Sequence, residues 1–168
     1  MANNYTLWSE SIKLSDSGDV REAQKKWIVR ALMPFDEWQG ELSEGAEGSI
    51  EDFEAHLSQV GIADVRGCDD LEYWPGFSWE LEDDHLWVYS EESGSIDNLA
   101  VFAQSFLKKF APEAHFTLEW ASSCSKPRLR EFGGGAMVVT ATEVLVENTS
   151  TMLAELLGKA TASNRSND

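Results

Sequence analysis

The chain has 168 residues, the size of one domain, and such a domain buries roughly 70% of its unfolded surface. Its 42% hydrophobic and 11% aromatic content, with seven tryptophans, excludes disorder, because that much apolar area offsets the entropy of ordering the chain. The net charge is −17, and two cysteines, Cys68 and Cys124, are too few for a disulfide framework.

Read in chain order, Tyr5–Leu14 carries Tyr5, Leu7, Ile12 and Leu14 in partial alternation and predicts a short strand or an extended arm. Asp16-Ser17-Gly18-Asp19 is a turn and cap cluster. Asp19 with Glu22 resembles a capping box ahead of Val20, Ala23, Trp27, Ile28, Ala31 and Leu32, an amphipathic helix that Pro34 stops. Lys25, Lys26 and Arg30 suit the negative end of its dipole. Residues 35–48 hold five acids and three glycines around Trp38 and predict an exposed loop. Ser49-Ile50-Glu51-Asp52 then caps a short acidic helix with Ile50, Phe53, Leu57 and Val60 on one side, ended near Gly61. Residues 63–75 read as a connecting loop or an edge segment.

Phe77, Trp79 and Leu81 alternate with polar residues, and after Asp83-Asp84 the run His85–Tyr89 is rich in strand formers, so a hairpin is predicted over 77–89. Ile96, Leu99, Ala100, Ala103, Phe106, Leu107 and Phe110 draw an apolar stripe over four helical turns. Beyond Ala111-Pro112, Phe116, Leu118 and Trp120 alternate as a third strand, and Ala136–Val146 predicts a long fourth one. Asn148, Thr149 or Ser150 caps a last helix bearing Met152, Leu153, Leu156 and Leu157. The expected fold is α+β: a four-stranded antiparallel sheet with helices packed on one face, plus N-terminal helices. One domain over 1–160 and a flexible polar tail over 161–168 are expected.

The acidity is concentrated. Residues 36–97 contain 19 Asp and Glu against one base, Arg66, whereas the rest holds 11 acids and 12 bases. Net charge of this kind maintains solubility, yet it also forms a surface that repels nucleic acid and attracts proteins whose basic grooves bind it. Duplex DNA carries one charge per ~1.7 Å of axis, so a surface of similar density competes for the same Lys and Arg side chains. The candidate partner-binding residues are Glu44, Glu47, Glu51, Asp52, Glu54, Asp69, Asp70, Glu72, Asp83 and Asp84. Direct nucleic-acid binding is not expected. Neither is a membrane, since the longest apolar runs, such as Ala136–Val139, span a few residues against the roughly 20 that cross a bilayer. Met1–Tyr5 lacks the basic and apolar regions of a secretory signal, so a cytoplasmic, reducing location is expected.

The densest cationic cluster is Lys126, Arg128 and Arg130, followed by Gly133, Gly134 and Gly135. Such a loop could cradle a phosphate with successive backbone N–H groups, but a strand follows it where phosphate loops open a helix. The other reading makes the glycines a bulge or a close sheet crossing and the bases a counterweight to the acidic segment. Cys124 could act as a nucleophile with His115 or His85, although no local signature surrounds it and a small buried cysteine fits as well. Cys68 with Asp69 and Asp70 lacks the paired spacing of a metal site, His56, His85 and His115 form no ligand pair, and Asp83-Asp84 reads as a solvated turn. No metal and no cofactor is expected. Trp27, Trp79 and Trp120 fall on apolar sides of their elements. Trp38, Trp74 and Trp87 lie in the acidic segment, where they could anchor a basic partner or pack beneath loops.

Phe116–Ala121, Cys124-Ser125-Lys126-Pro127-Arg128 and Phe132–Ala136, with Tyr89–Gly94 upstream, resemble uncharacterised accessory proteins of phages and plasmids over about residues 77–147. The resemblance implies a mobile-element origin and assigns no catalysis. In charge and size the chain is also similar to acidic anti-restriction and other anti-defence proteins, some of which imitate DNA. The expected function is a non-enzymatic inhibitor that occupies the nucleic-acid-binding surface of a basic host or defence protein. The alternatives are a small nucleotide- or phosphate-binding enzyme using the 126–135 loop, and an accessory protein whose partner is unrelated to nucleic acid.

Overall fold

The N-terminal segment expected as a short strand or arm is the strand on which the sheet is built. In the computed structural model, which describes residues 4–42, 48–62, 71–126 and 132–165, β1 (Asn4–Lys13) lies between β3 (His85–Ser90) and β4 (His115–Cys124). With β2 (Ser78–Leu81), β5 (Gly133–Thr140) and β6 (Val144–Asn148), it forms an antiparallel sheet of order β2-β3-β1-β4-β5-β6. The sheet therefore has six strands, not four. The additional ones are β1 and β6, and the single long strand expected over 136–146 is two strands joined by a turn. There the Thr140 hydroxyl accepts the N–H groups of Thr142 at 3.3 Å and Glu143 at 3.0 Å, folding the chain back with no glycine or proline.

β1 changes partner along its length. Asn4–Leu7 pair with β4, and Trp8–Lys13 pair with β3. Because both neighbours run antiparallel to β1, β3 and β4 are parallel to each other, and α4 (Ile96–Phe110) carries the chain across β1 between them.

Period-two alternation sorts the sheet into two faces. Trp8, Ile12, Leu86, Val88, Phe116, Leu118, Met137 and Val139 join one buried cluster with Ile28 and Ala31 of α1 (Gly18–Ala31) and with Leu99, Phe102 and Phe106 of α4. Ser95 caps α4 through the Asn98 N–H at 3.1 Å. α1 has no side-chain cap; its N-cap is Ser17, so the Asp19–Glu22 box does not form. The capping box occurs on α3 (Ile50–Val60), where Ser49 and Asp52 satisfy each other's backbone N–H groups. Residues 35–41, expected as loop, form α2 (Phe35–Glu41), because Phe35 and Trp38 stack at 5.9 Å and Trp38 is buried, leaving Asp36 and Glu37 outside.

Two indoles pin this helical layer. The Trp27 N–H donates to the Val60 carbonyl at 2.7 Å, and the Trp74 N–H, beyond the 3₁₀ turn Leu71–Tyr73, donates to the Ala31 carbonyl at 2.9 Å. The opposite sheet face has no helix over it in the described residues and presents Leu7, Trp87, Val138 and Leu145 at the surface. α5 (Thr149–Arg165) leaves the end of β6 with Met152, Leu153 and Leu156 exposed. No described helix is long and apolar enough to cross a membrane.

Candidate functional site

The described part of the anionic segment holds fourteen carboxylates. α2 bears Asp36, Glu37 and Glu41; α3 bears Glu51, Asp52 and Glu54; Glu72 sits in the 3₁₀ turn, and the hairpin β2–β3 bears Glu80, Glu82, Asp83 and Asp84. Glu91, Glu92 and Asp97 follow around the start of α4. All are exposed except Glu54, which is half-buried. The helices place them so because their apolar residues, Phe35 and Trp38 on α2 and Phe53, Leu57 and Val60 on α3, turn inward and commit the remaining positions to solvent.

Among the described residues, only Asp83 and Asp84 of the fourteen form ion pairs, to Lys25 at 3.4 Å and to His85 at 2.8 Å. The His85 hydrogen bond holds the Asp84 carboxyl below its ordinary range. Asp52 is lowered likewise, first by the Ser49 backbone N–H and then by the Ser49 hydroxyl, so its charge serves the helix cap. The structure thus groups Glu51, Asp52 and Glu54 on one helix, places Asp83 and Asp84 at a hairpin turn beside α1, and sets Glu72 in a separate turn. Glu44, Glu47, Asp69 and Asp70 lie outside the described residues, as do Arg128 and Arg130.

The glycine run has a packing explanation. Gly133, Gly134 and Gly135 are strand residues paired with Ser122, Ala121 and Trp120 of β4. An added Cβ would collide with the Thr149 hydroxyl at Gly133, with the Trp120 carbonyl at Gly134, and with the Trp120 ring and the Glu147 carbonyl at Gly135. The Gly134 N–H already donates to Thr149 Oγ1 at 3.3 Å, and the first turn of α5 is capped by Asn148 Oδ1. These groups are spent on the sheet and the helix start. A polar recess of about 560 Å³ lies beside them, bordered by Thr6, Ser122, Ser123, Phe132 and Ser150. Lys126 is exposed at the end of β4.

Cys124 is buried. It pairs with Asn4 at one end of β1, whereas His85 pairs with Lys13 at the other end and His115 begins the strand that Cys124 finishes. At about 3.3 Å per residue, nine residues separate each histidine from the thiol by roughly 30 Å along the strands, so neither serves it as a base. His56 packs against Phe53 and Trp38, and burial, reinforced by the Arg30 charge, holds its imidazole below the usual histidine range. No group of three or more His, Cys, Asp or Glu is placed to hold a metal among the described residues.

Of the three tryptophans of the acidic segment, for which anchoring a partner and packing beneath loops were both open, two are packed. Trp38 and Trp74 are 7% and 1% exposed and belong to the core, Trp74 through its bond to the Ala31 carbonyl and Trp38 by packing on Phe35 and Phe53. Trp87 is 37% exposed on the open sheet face and stacks on Tyr89. Sequence reasoning singled out Trp87 but missed Tyr89 and Glu80 beside it. The signal was present, because alternation that buries Leu86 and Val88 must send residues 87 and 89 to the other face. Comparison of the chain with family models, curated proteins and solved structures returns no match.

Proposed function

We propose that this chain is an acidic interaction protein that binds a basic, nucleic-acid-binding host or defence protein and occupies the surface that would otherwise hold DNA or RNA. The observation that carries this reading is the uncompensated charge: twelve of the fourteen described carboxylates between Asp36 and Asp97 have no ion-pair partner among the described residues. Solubility requires no such concentration, since the rest of the chain, with 11 acids and 12 bases, is near neutrality. Carboxylates held on the outward sides of α2 and α3 displace none of the buried residues of those helices, and clustered like charge raises the local potential and speeds encounter with a basic partner.

The test is competition. Partner captured from bacterial lysate should elute as salt rises, because charge steering is screened beyond about 8 Å at physiological ionic strength. Excess duplex DNA added to the complex should displace the protein. Replacing Asp36, Glu37, Glu51 and Glu54 by Asn or Gln should weaken capture while leaving the fold intact; Asp52 is excluded because it closes the α3 capping box. A stable ternary assembly of protein, partner and DNA would overturn mutual exclusion.

A further inference from the structure

The open sheet face presents an aromatic pair. Trp87 and Tyr89, adjacent on the same side of β3, stack with ring centroids 4.3 Å apart and planes at 25°. Their polar atoms are already engaged: the Trp87 indole N–H donates to the Ser9 hydroxyl at 2.8 Å, and the Tyr89 hydroxyl donates to a Glu80 carboxylate oxygen at 3.1 Å. The rings are therefore fixed in place, and what they offer a visitor is π surface rather than hydrogen-bond donors. Leu7, Ser9 and Glu91 join the two rings around a recess of about 530 Å³.

The charge nearest this recess among the described residues is negative. Glu91 lines it and Glu80, opposite Trp87 on β2, holds the Tyr89 hydroxyl; both act on that hydroxyl, whose titration is pushed up first by the Glu80 hydrogen bond. Glu119 and Glu147 share the face further along, on β4 and β6. Lys13, on the same side of β1, is paired to Asp16 at 3.3 Å. Aromatic rings on an open sheet also suit unpaired bases, but carboxylates beside the rings repel the phosphates that a strand would bring with it.

We propose that this face docks an arginine-bearing segment of a basic protein, with a guanidinium stacked on Trp87 and Tyr89 and hydrogen-bonded to Glu80 and Glu91. This rests on the reading that the partner is a basic protein and names the surface that receives it. Arginine fits better than lysine because its planar, weakly hydrated head stacks on an aromatic ring while its fork bonds a carboxylate.

The probe is a deca-arginine peptide titrated into the full-length, ¹⁵N-labelled protein, with deca-lysine and a ten-residue oligothymidylate as the other arms. Deca-arginine should move the Trp87 indole N–H resonance, assigned by its loss in Trp87→Phe, and should bind more tightly than deca-lysine. Trp87→Leu should weaken binding by about twofold to fivefold, the range expected for one cation–π contact at an exposed site. Glu80→Gln, which keeps an acceptor for Tyr89, should weaken binding at low salt. Shifts confined to α2 and α3, with Trp87 unmoved, would overturn this site and leave the acidic capture standing. The absence of any shift would overturn both. An oligothymidylate that moves Trp87 more than deca-arginine does would reassign the face to nucleic acid.

Discussion

Trp74→Phe isolates the indole that ties the 3₁₀ turn to the end of α1. Trp74 is 1% exposed, and its N–H donates to the Ala31 carbonyl at 2.9 Å. A phenyl ring fills most of the same space but removes the donor. Leaving a buried carbonyl short of a partner costs about 1–3 kcal/mol, and the roughly 40 Å³ lost between indole and phenyl adds about 1 kcal/mol at ~24 cal/mol per Å³. The expected destabilisation is therefore about 2–4 kcal/mol, a fall in Tm on the order of 4–15 °C for a domain of this size. Trp87→Phe is the matched control, because that indole also donates a hydrogen bond, to Ser9, but on the exposed face, where substitutions usually fall within about 0.5 kcal/mol. Urea denaturation followed by far-ultraviolet circular dichroism measures both. Equal losses in the two variants, or a Trp74→Phe loss under 1 kcal/mol, would refute the assignment of the Trp74 indole as a buried clasp.

Gly135→Ala drives a Cβ into the Trp120 ring and the Glu147 carbonyl, so it should cost about 1–3 kcal/mol in thermal or urea unfolding; Gly40→Ala on α2, with open space around it, should be neutral or stabilising by up to ~1 kcal/mol. Phe106→Ala removes a ring that lies within 6.0 Å of Trp27 and 5.3 Å of Phe110 and should cost about 3–5 kcal/mol; an unchanged denaturation midpoint would show that the α4 stripe is not core. Stability should fall as pH drops below about 6.5, because burial and Arg30 lower the folded-state affinity of His56 for a proton, so the unfolded chain binds more protons in that window. His56→Gln should flatten this part of a stability profile measured between pH 5 and 8.

The elements legible in the sequence are those whose apolar period is unbroken. α4 shows seven apolar positions at helical spacing, and β2–β3 alternates cleanly on both sides of Asp83-Asp84. β1 was ambiguous because adjacent Leu7 and Trp8 face opposite sides and Glu10 interrupts the inward set of Trp8, Ile12 and Leu14. β6 was hidden because Ala141-Thr142-Glu143 contains no customary turn residue; the bend is made by the Thr140 side chain, which no pattern of hydrophobicity reports. α2 was masked by Gly40, Gly45 and Gly48, although Phe35 and Trp38 supply enough buried surface to hold a short helix. The anionic residues were legible from composition alone. Their separation into helix faces, a hairpin tip and an open sheet face depends on tertiary arrangement, as does the burial of Trp38 and Trp74.

A strand that precedes both of its neighbours and lies in the interior of the sheet constrains how the molecule can be made. β1 finds its partners in residues 85–90 and 115–124, so during synthesis its Trp8–Lys13 part waits for about seventy later residues and its Asn4–Leu7 part for about a hundred, on the order of 4–20 s at ribosomal rates of ~5–20 residues per second. Until β3 emerges, Trp8 and Ile12 are on a nascent segment with nothing to pair against, and Leu7 waits longer, for β4, while α1, α2 and α3 emerge behind it. Closure of the sheet is a late, non-local event, slow by topology, and β1 is the segment for which a chaperone would have the longest access.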